Sequence, residues 1–343
     1  MENRSPCRWR HVLLLMAAFM VSVAARASTT LVLNAFMPAQ DVMNVGVIEP
    51  WAQEVMRETH GRVKIIIPPT SLCAPDQIWN SVRSGVVDAA YLFNGTEQGK
   101  LGLMQMPHLP FLASNARGDS IAFWQTYEKF FRPADEYSDV HLLGLMVIPS
   151  GIIYSMKQPI RSIDDVKGVK MWALPGMPAR VMQLSGAGVV STPAAAMSEL
   201  VAGGTVDGFA GIPDIYAESF KVARYARYAT VVPGGLSTSG FSLIINKQKW
   251  ESLTPEDRDV ITRLSGAALA ARMSAFDDAE KRAHAKAISE GVRYEEASPL
   301  LTRQLQGVSA SLSRSWMKTA TALGVDGQAA LAFYREHSKE NRQ

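Results

Sequence analysis

Apolar and polar positions along the chain switch between two periods, and their order predicts strands and helices in turn. Residues 31–36 read as a short buried strand, and residues 47–59 as an amphipathic helix with Ile48, Trp51, Ala52 and Val55 on one stripe. His60-Gly61 stops that helix. Residues 63–67, rich in β-branched side chains, form the next strand and end at Pro68-Pro69. Asp76 is placed to cap a helix carrying Ile78, Trp79 and Val82, Gly85 ends it, and residues 89–93 form a third strand. Strands separated by helices imply a largely parallel sheet covered on both faces.

The pattern then repeats. Ser162-x-x-Asp165 has the form of a capping box for a short helix ending at Gly168. Residues 169–174 are predicted as strand, 177–184 as helix, 189–192 as strand and 193–201 as helix, with Gly203-Gly204 as the stop and a strand opening at Asp207. The phrase V-R-S-G-V-V-D-A-A from Val82 returns as V-A-G-G-T-V-D-G-F-A from Val201, about 120 residues later, which suggests two similar α/β lobes. Residues 141–148 and 151–156, separated by Pro149-Ser150, are a candidate crossover between lobes, and residues 241–246 a candidate return. Residues 255–289, 299–323 and 328–338 have helical spacing and read as bracing elements. The expected division is a first lobe of 28–150 with a return segment from about 241–290, a second lobe of 151–240, and C-terminal helices in 291–343.

The chain begins with Arg4, Arg8 and Arg10, followed by an apolar run from Val12 to Ala25 interrupted only by Ser22. That run is short of the roughly 20 residues needed to span a bilayer. Ala25-Arg26-Ala27 offers small residues where a signal peptidase reads, so residues 1–27 are expected to be a secretory signal cleaved before Ser28. An uncleaved anchor is the competing reading. Removing residues 1–27 takes away Arg4, Arg8, Arg10, Arg26 and Glu2, leaving 31 of the 35 basic and 31 of the 32 acidic side chains, a formal charge of zero. Such a balance offers nothing to attract nucleic acid or anionic lipid. Cys7 leaves with the signal, and Cys73 alone cannot form an intramolecular disulfide. The expected product is a periplasmic chain that does not insert into the membrane.

No phosphate-binding glycine loop, His-x-Glu-x-x-His, Cys-x-x-Cys or Gly-x-Ser-x-Gly occurs. His60, His108, His141, His284 and His337 are scattered, and nothing local points to a metal, a cofactor or catalysis. Two lobes without a catalytic cluster leave a cleft that binds a small molecule and closes by a hinge.

A resemblance then emerges over essentially the whole exported part. Its marks are Thr59-x-Gly61-Arg62-Val63, Gly85-Val86-Val87-Asp88 and Leu109-Pro110-Phe111-Leu112. They continue in the run from Pro159 through Asp164-Asp165-Val166-Lys167-Gly168 to Lys170, in Gly186-Ala187, and in Gly204-Thr205-Val206-Asp207-Gly208. Asn246-x-x-x-Trp250-x-x-Leu253-Thr254-Pro255 completes them. In order and spacing these residues resemble the solute-binding receptors of tripartite ATP-independent periplasmic (TRAP) transporters. The resemblance implies a two-lobed periplasmic binding protein fold, a long helix bracing both lobes and a central ligand cleft. It also implies a partner of integral membrane subunits driven by an ion gradient. A binding component of an ATP-driven importer, a ligand sensor docking on a membrane kinase, and an exported enzyme are the competing readings.

The chain departs from the family where ligand is usually held. Trp172 stands where members usually carry an arginine that pairs with a substrate carboxylate, Phe209-Ala210-Gly211 replaces polar residues, and Ala194, Ala195 and Ala196 replace an aromatic and an acid. An indole offers one N–H and a large π face instead of paired donors. The expected ligand is therefore less acidic, bulkier or more aromatic than a sugar acid or dicarboxylate, and would lie on Trp172. The alternative is that Trp172 is core and the arginine has moved, with Arg180 as candidate, itself readable as a solvated surface charge. Tyr91 and Asn94 end the third strand, at the edge where ligands approach open α/β sheets. Met37 and Gln40 follow the first strand, Ser150 lies in the crossover, Ser239 and Phe241 stand at the return strand, and Phe209 completes the candidates. Calorimetry is expected to show aromatic or weakly acidic ligands bound and weakened by Trp172→Ala. Tight succinate or malate binding unaffected by that change would contradict this reading.

Overall fold

The computed structural model of the chain describes residues 28–341, so the expected signal segment lies outside the described residues. Eleven strands form two sheets among them. The first lobe holds β1 (Thr29–Asn34), β2 (Val63–Ile66), β3 (Ala89–Phe93), β4 (Val140–Val147) and β10 (Gly240–Asn246), in the order β2-β1-β3-β10-β4. The second lobe holds β5 (Ile152–Ser155), β6 (Lys170–Ala173), β7 (Gly188–Val190), β8 (Gly208–Ile212), β9 (Tyr228–Val231) and β11 (Arg293–Glu296), in the order β11-β9-β5-β8-β6-β7. Strands formed within one lobe pair in parallel, as β1 does with β2 and β3, and β6 with β7 and β8. The arriving strands run the other way: β10 is antiparallel to β3 and β4, and β5 is antiparallel to β8 and β9.

Patterning follows position in the sheet. Every residue of β8 and β10 is buried, in keeping with strands covered on both faces. The edge strand β2 alternates buried and exposed positions. Local signals hold in some places and yield in others. Ser162 and Asp165 form the expected capping box, on a single 3-10 turn, Ile163–Asp165. Asp76 does not cap: it sits in the 3-10 turn Pro75–Gln77, and the helix Ile78–Arg83 begins without a side-chain cap. The predicted helix of 47–59 starts earlier, as a wide π turn over Met43–Ile48 that runs into the α-helix Glu49–Glu58.

Two of the segments that carry the chain between the lobes run side by side. The link from β4 to β5 lies beside the link from β9 to β10. Ile148 N–H donates to Ser239 O (3.1 Å) and Gly151 N–H to Ser237 O (2.8 Å). A first-lobe loop joins them, with Phe111 N–H on Gly235 O (2.9 Å) and Ala113 N–H on Gly234 O (2.7 Å). Only glycine fits at 235, where φ is +81° and a Cβ would lie 2.2 Å from the Ser150 hydroxyl.

The helix Pro299–Ala322 spans both lobes. Ser298 accepts from Leu301 N–H (3.0 Å), and Pro299 occupies the first turn. Its Leu301 and Leu305 join a second-lobe core with Ile153, Val181 and Met182, while Trp316 and Ala320 join the first-lobe core with Trp79, Phe131 and Leu145.

A second connection comes from the helix Ser274–Ser289. Asp277 accepts from Ala116 N–H (2.7 Å) and Arg117 N–H (3.0 Å), at the start of the first-lobe helix Ala116–Thr126. One turn later Glu280 accepts from Asp214 N–H and Ile215 N–H (2.9 Å each), at the start of the second-lobe helix Asp214–Ser219. Spacing of three along a helix puts both carboxylates on one face. Burial, then the nearby Asp214 charge, pushes the Glu280 carboxyl from its ordinary 4.5 up to about 7, with Asp277 adding to the rise. The folded chain therefore holds this proton more tightly than the unfolded chain. The stability it contributes is complete below pH 4.5 and lost as pH rises through 7. Glu280→Gln is expected to flatten that decline, by an amount on the order of 2 kcal/mol. Urea unfolding of both proteins from pH 4.5 to pH 8 checks it, and parallel stability profiles would refute it.

Candidate functional site

A chamber of about 520 Å³ lies between the lobes. Its first-lobe wall is the end of β3 with the turn after it, Phe93, Gly95, Thr96 and Gln98, backed by Gln105 and His108. The second-lobe wall is the turn after β6, Leu174 to Pro178, with Arg180 on the helix Met177–Leu184. Ser237, Thr238 and Ser239 come from the interlobe link, and Leu312, Ser315, Trp316 and Thr319 from the long helix. Gly176, at φ +99°, turns the chain between Pro175 and Pro178. At Gly211 the exit of β8 passes so close to that turn that a Cβ would lie 2.3 Å from Pro178 Cβ.

The inner wall is neutral, and its His108, Ser237, Thr238 and Gln105 are hydrogen-bonded within it. His108 is buried, and its Nε2 accepts from Gly240 N–H (2.8 Å). A backbone N–H can only donate, so the imidazole is uncharged with its proton on Nδ1. Burial agrees, pushing His108 down to about 4. The ring stacks on Phe93 with centroids 5.4 Å apart. Ser237 Oγ donates to His108 O (2.8 Å) and Thr238 Oγ1 to Pro107 O (2.6 Å), which pins the link to the wall. Gln105 Nε2 donates to the carbonyls of Asn94 (2.8 Å) and Leu101 (2.9 Å).

The residues singled out from sequence stand at various depths around this chamber. Arg180 lines it and is exposed, with Nη1 donating to Gln183 Oε1 at 3.4 Å. Trp172 is fully buried two residues before the lining Leu174, and its indole N–H donates to Thr192 Oγ1 (3.0 Å). Phe209 is also fully buried and stacks on Tyr154 at 4.5 Å. Tyr91 is buried behind the wall, accepting from Met37 N–H (3.1 Å) and donating to Asn44 Oδ1 (2.9 Å). Burial raises its phenol. Asn94 is fully buried, with Oδ1 accepting from Ser242 Oγ (2.6 Å) and, among the described residues, no partner for Nδ2.

Met37 is half-buried, and its carbonyl accepts from Asn44 Nδ2 (3.0 Å), whereas Gln40 is exposed. Phe241 packs between Phe36 (6.4 Å) and the lining Phe93 (5.6 Å). Tyr91, Phe36, Phe241, Phe93 and His108 thus form one aromatic chain behind and along the first-lobe wall. Ser150 lies elsewhere, in a more open groove of about 630 Å³ shared with Asp214, Glu280 and His284. Asp214 there accepts from Tyr154 (2.5 Å), from Tyr294 and contacts His284 Nδ1 (2.8 Å), so its carboxylate serves the fold.

Phe93, His108 and Trp316 line the chamber without having been singled out, whereas the candidate Ser239 does line it. The signals existed: Phe93 adjoins Asn94 at the strand's carboxyl end. Nothing local brings Trp316 there, because the helix carrying it is distant in sequence. Among the described residues no helix is long and apolar enough to cross a membrane.

Residues 33–319 match the model of bacterial extracellular solute-binding protein family 7. The chain is 40% identical over 315 residues, 92% of its length and 93% of the relative's, to a protein of Comamonas testosteroni named outer membrane transporter protein TsaT. It is similar in structure to a TRAP periplasmic solute-binding protein of Bordetella bronchiseptica with bound (R)- and (S)-mandelate, at 31% identity and TM-score 0.84, over 91% of this chain and 99% of that one. A marine-metagenome TRAP solute-binding protein specific for aromatic acids, solved with 3-hydroxybenzoate, is 26% identical with TM-score 0.81, over 92% and 99%.

Replacing His108 by leucine would leave Gly240 N–H buried without an acceptor. The expected cost is about 1–3 kcal/mol of folding stability, measured by urea unfolding at neutral pH. An unchanged midpoint would mean that this hydrogen bond does not hold the inner wall.

Proposed function

The chain belongs to family 7 of the bacterial extracellular solute-binding proteins, and on that premise we propose that it is the periplasmic receptor of a TRAP transporter whose ligand is a small aromatic acid. The ligand is enclosed between the lobes and delivered unchanged to integral membrane subunits. The observation that carries this reading is the chamber itself. Both lobes and the long helix contribute walls, Phe93 and Trp316 provide aromatic surface, and among the described residues no lining side chain is a carboxylate. Relatives described with mandelate and with 3-hydroxybenzoate support the ligand class. Export through cleavage before Ser28 fits such a receptor.

Closure follows from the topology. The paired links between β4 and β5 and between β9 and β10 bend, and the ligand bridges walls that separate in the open form. Only contacts made in the closed form and absent from the open one shift that equilibrium. Calorimetry with mandelate, benzoate and 3-hydroxybenzoate is expected to show binding that succinate does not match. Small-angle scattering is expected to show a smaller radius of gyration when ligand is added, and mass spectrometry to recover the ligand intact. Preference for succinate, an unchanged scattering profile with a tight ligand, or consumption of the ligand would each overturn the proposal.

A further inference from the structure

We propose that the chamber selects singly charged acids and seats the anionic group against Arg180 at its mouth, with the rest of the ligand facing the neutral inner wall. This inference rests on the aromatic-acid reading and adds to it a charge rule and a residue.

The charge inventory comes first. Among the described residues that line the chamber, Arg180 is the one with a permanent charge, and none is Asp or Glu. Arg180 is exposed, and among the described residues no carboxylate pairs with it. Among the described residues its side chain makes one hydrogen bond, to the neutral Gln183 at the long distance of 3.4 Å. A guanidinium keeps its charge at any working pH and presents several donors in a plane, geometry suited to a carboxylate. The chamber therefore carries one positive charge without a counter-ion from its own walls.

Depth then orders the two ends. Arg180 is open to solvent while His108 is 5% exposed, so the charge lies at the mouth and the imidazole at the inner end. The inner end offers no cation. Gly240 N–H holds His108 Nε2 as an acceptor and thus holds the ring neutral, and His108 titrates only near 4. The hydroxyls of Ser237 and Thr238 are turned to the carbonyls of His108 and Pro107. A second carboxylate pushed inward would lose its water and find no counter-charge, which is strongly unfavourable. A neutral ring meets Phe93 and Trp316 without that cost.

The departure at Trp172 fits this scheme. Its indole is buried and hydrogen-bonded to Thr192, so strand β6 supplies a packed platform and the charge comes from the helix that follows.

Calorimetry at neutral pH tests the rule with benzoate as monoanion, terephthalate as dianion and benzamide as neutral analogue. Wild-type protein is expected to bind benzoate at least about 100-fold more tightly than terephthalate. Arg180→Gln is expected to weaken benzoate at least about 10-fold, bringing it toward benzamide, and Arg180→Lys to restore part of the loss. Because Arg180 is exposed, both variants should unfold thermally like the wild type without ligand. Terephthalate binding as tightly as benzoate would overturn the charge rule. Benzoate binding unchanged in Arg180→Gln would overturn the assignment of Arg180 while leaving the aromatic-acid reading intact. No binding of any aromatic acid to the wild type would overturn that reading and this inference with it.

Discussion

Two strands of chain lie side by side where the lobes meet, and the bonds from Ile148 to Ser239 and from Gly151 to Ser237 hold them together. Everything else in the molecule is arranged around this pair. It reverses the direction of β10 relative to β3, and of β5 relative to β8. It also brings the second-lobe turn at Leu174 opposite the first-lobe turn at Phe93, which is what creates a chamber. The close packing requires chain without side chains: a Cβ at Gly151 would lie 2.4 Å from the backbone carbon of Gly211, and one at Gly235 would strike Ser150. Small residues here are a steric condition for two lobes to share one hinge.

Two helices also connect the lobes, by different physics. The long helix Pro299–Ala322 uses apolar burial, with Leu301 and Leu305 in one core and Trp316 in the other. The helix Ser274–Ser289 uses charge on backbone donors, Asp277 toward one lobe and Glu280 toward the other. The first is insensitive to pH. The second involves carboxyls that burial raises, so it brings a proton into the contact between lobes. In Trp316 the long helix also contributes a wall of the chamber, which couples bracing to recognition.

The chamber shows how a binding site stays neutral without being apolar. His108, Ser237, Thr238 and Gln105 all carry polar groups, yet each has a hydrogen-bonding role within the wall. Polar atoms satisfied in this way orient the wall without adding charge. Arg180 is outside that network, and the contrast between an uncharged wall and an unneutralised rim gives the site its polarity.

Much of this architecture is legible in the residues alone. Hydrophobic periodicity and the repeated glycine–valine–aspartate phrase determine two α/β lobes, because each strand's burial and each helix's stop are local matters. The loss of the expected arginine at Trp172 and the presence of Arg180 nearby are readable as well. Asp76, although well placed by rule, is not a cap, and the helix Ala116–Thr126, capped by Asn115, went unforeseen between predicted elements. What only the tertiary structure decided is which side chains face the space between the lobes. Trp172 turns to Thr192 and the interior, while Phe93, His108 and Trp316, the last more than 200 residues along the chain from both others, converge on one wall. Short-range periodicity determines which face of an element is buried, but which buried faces meet depends on the path of the chain through its hinge, and that path is set by contacts between residues remote in sequence.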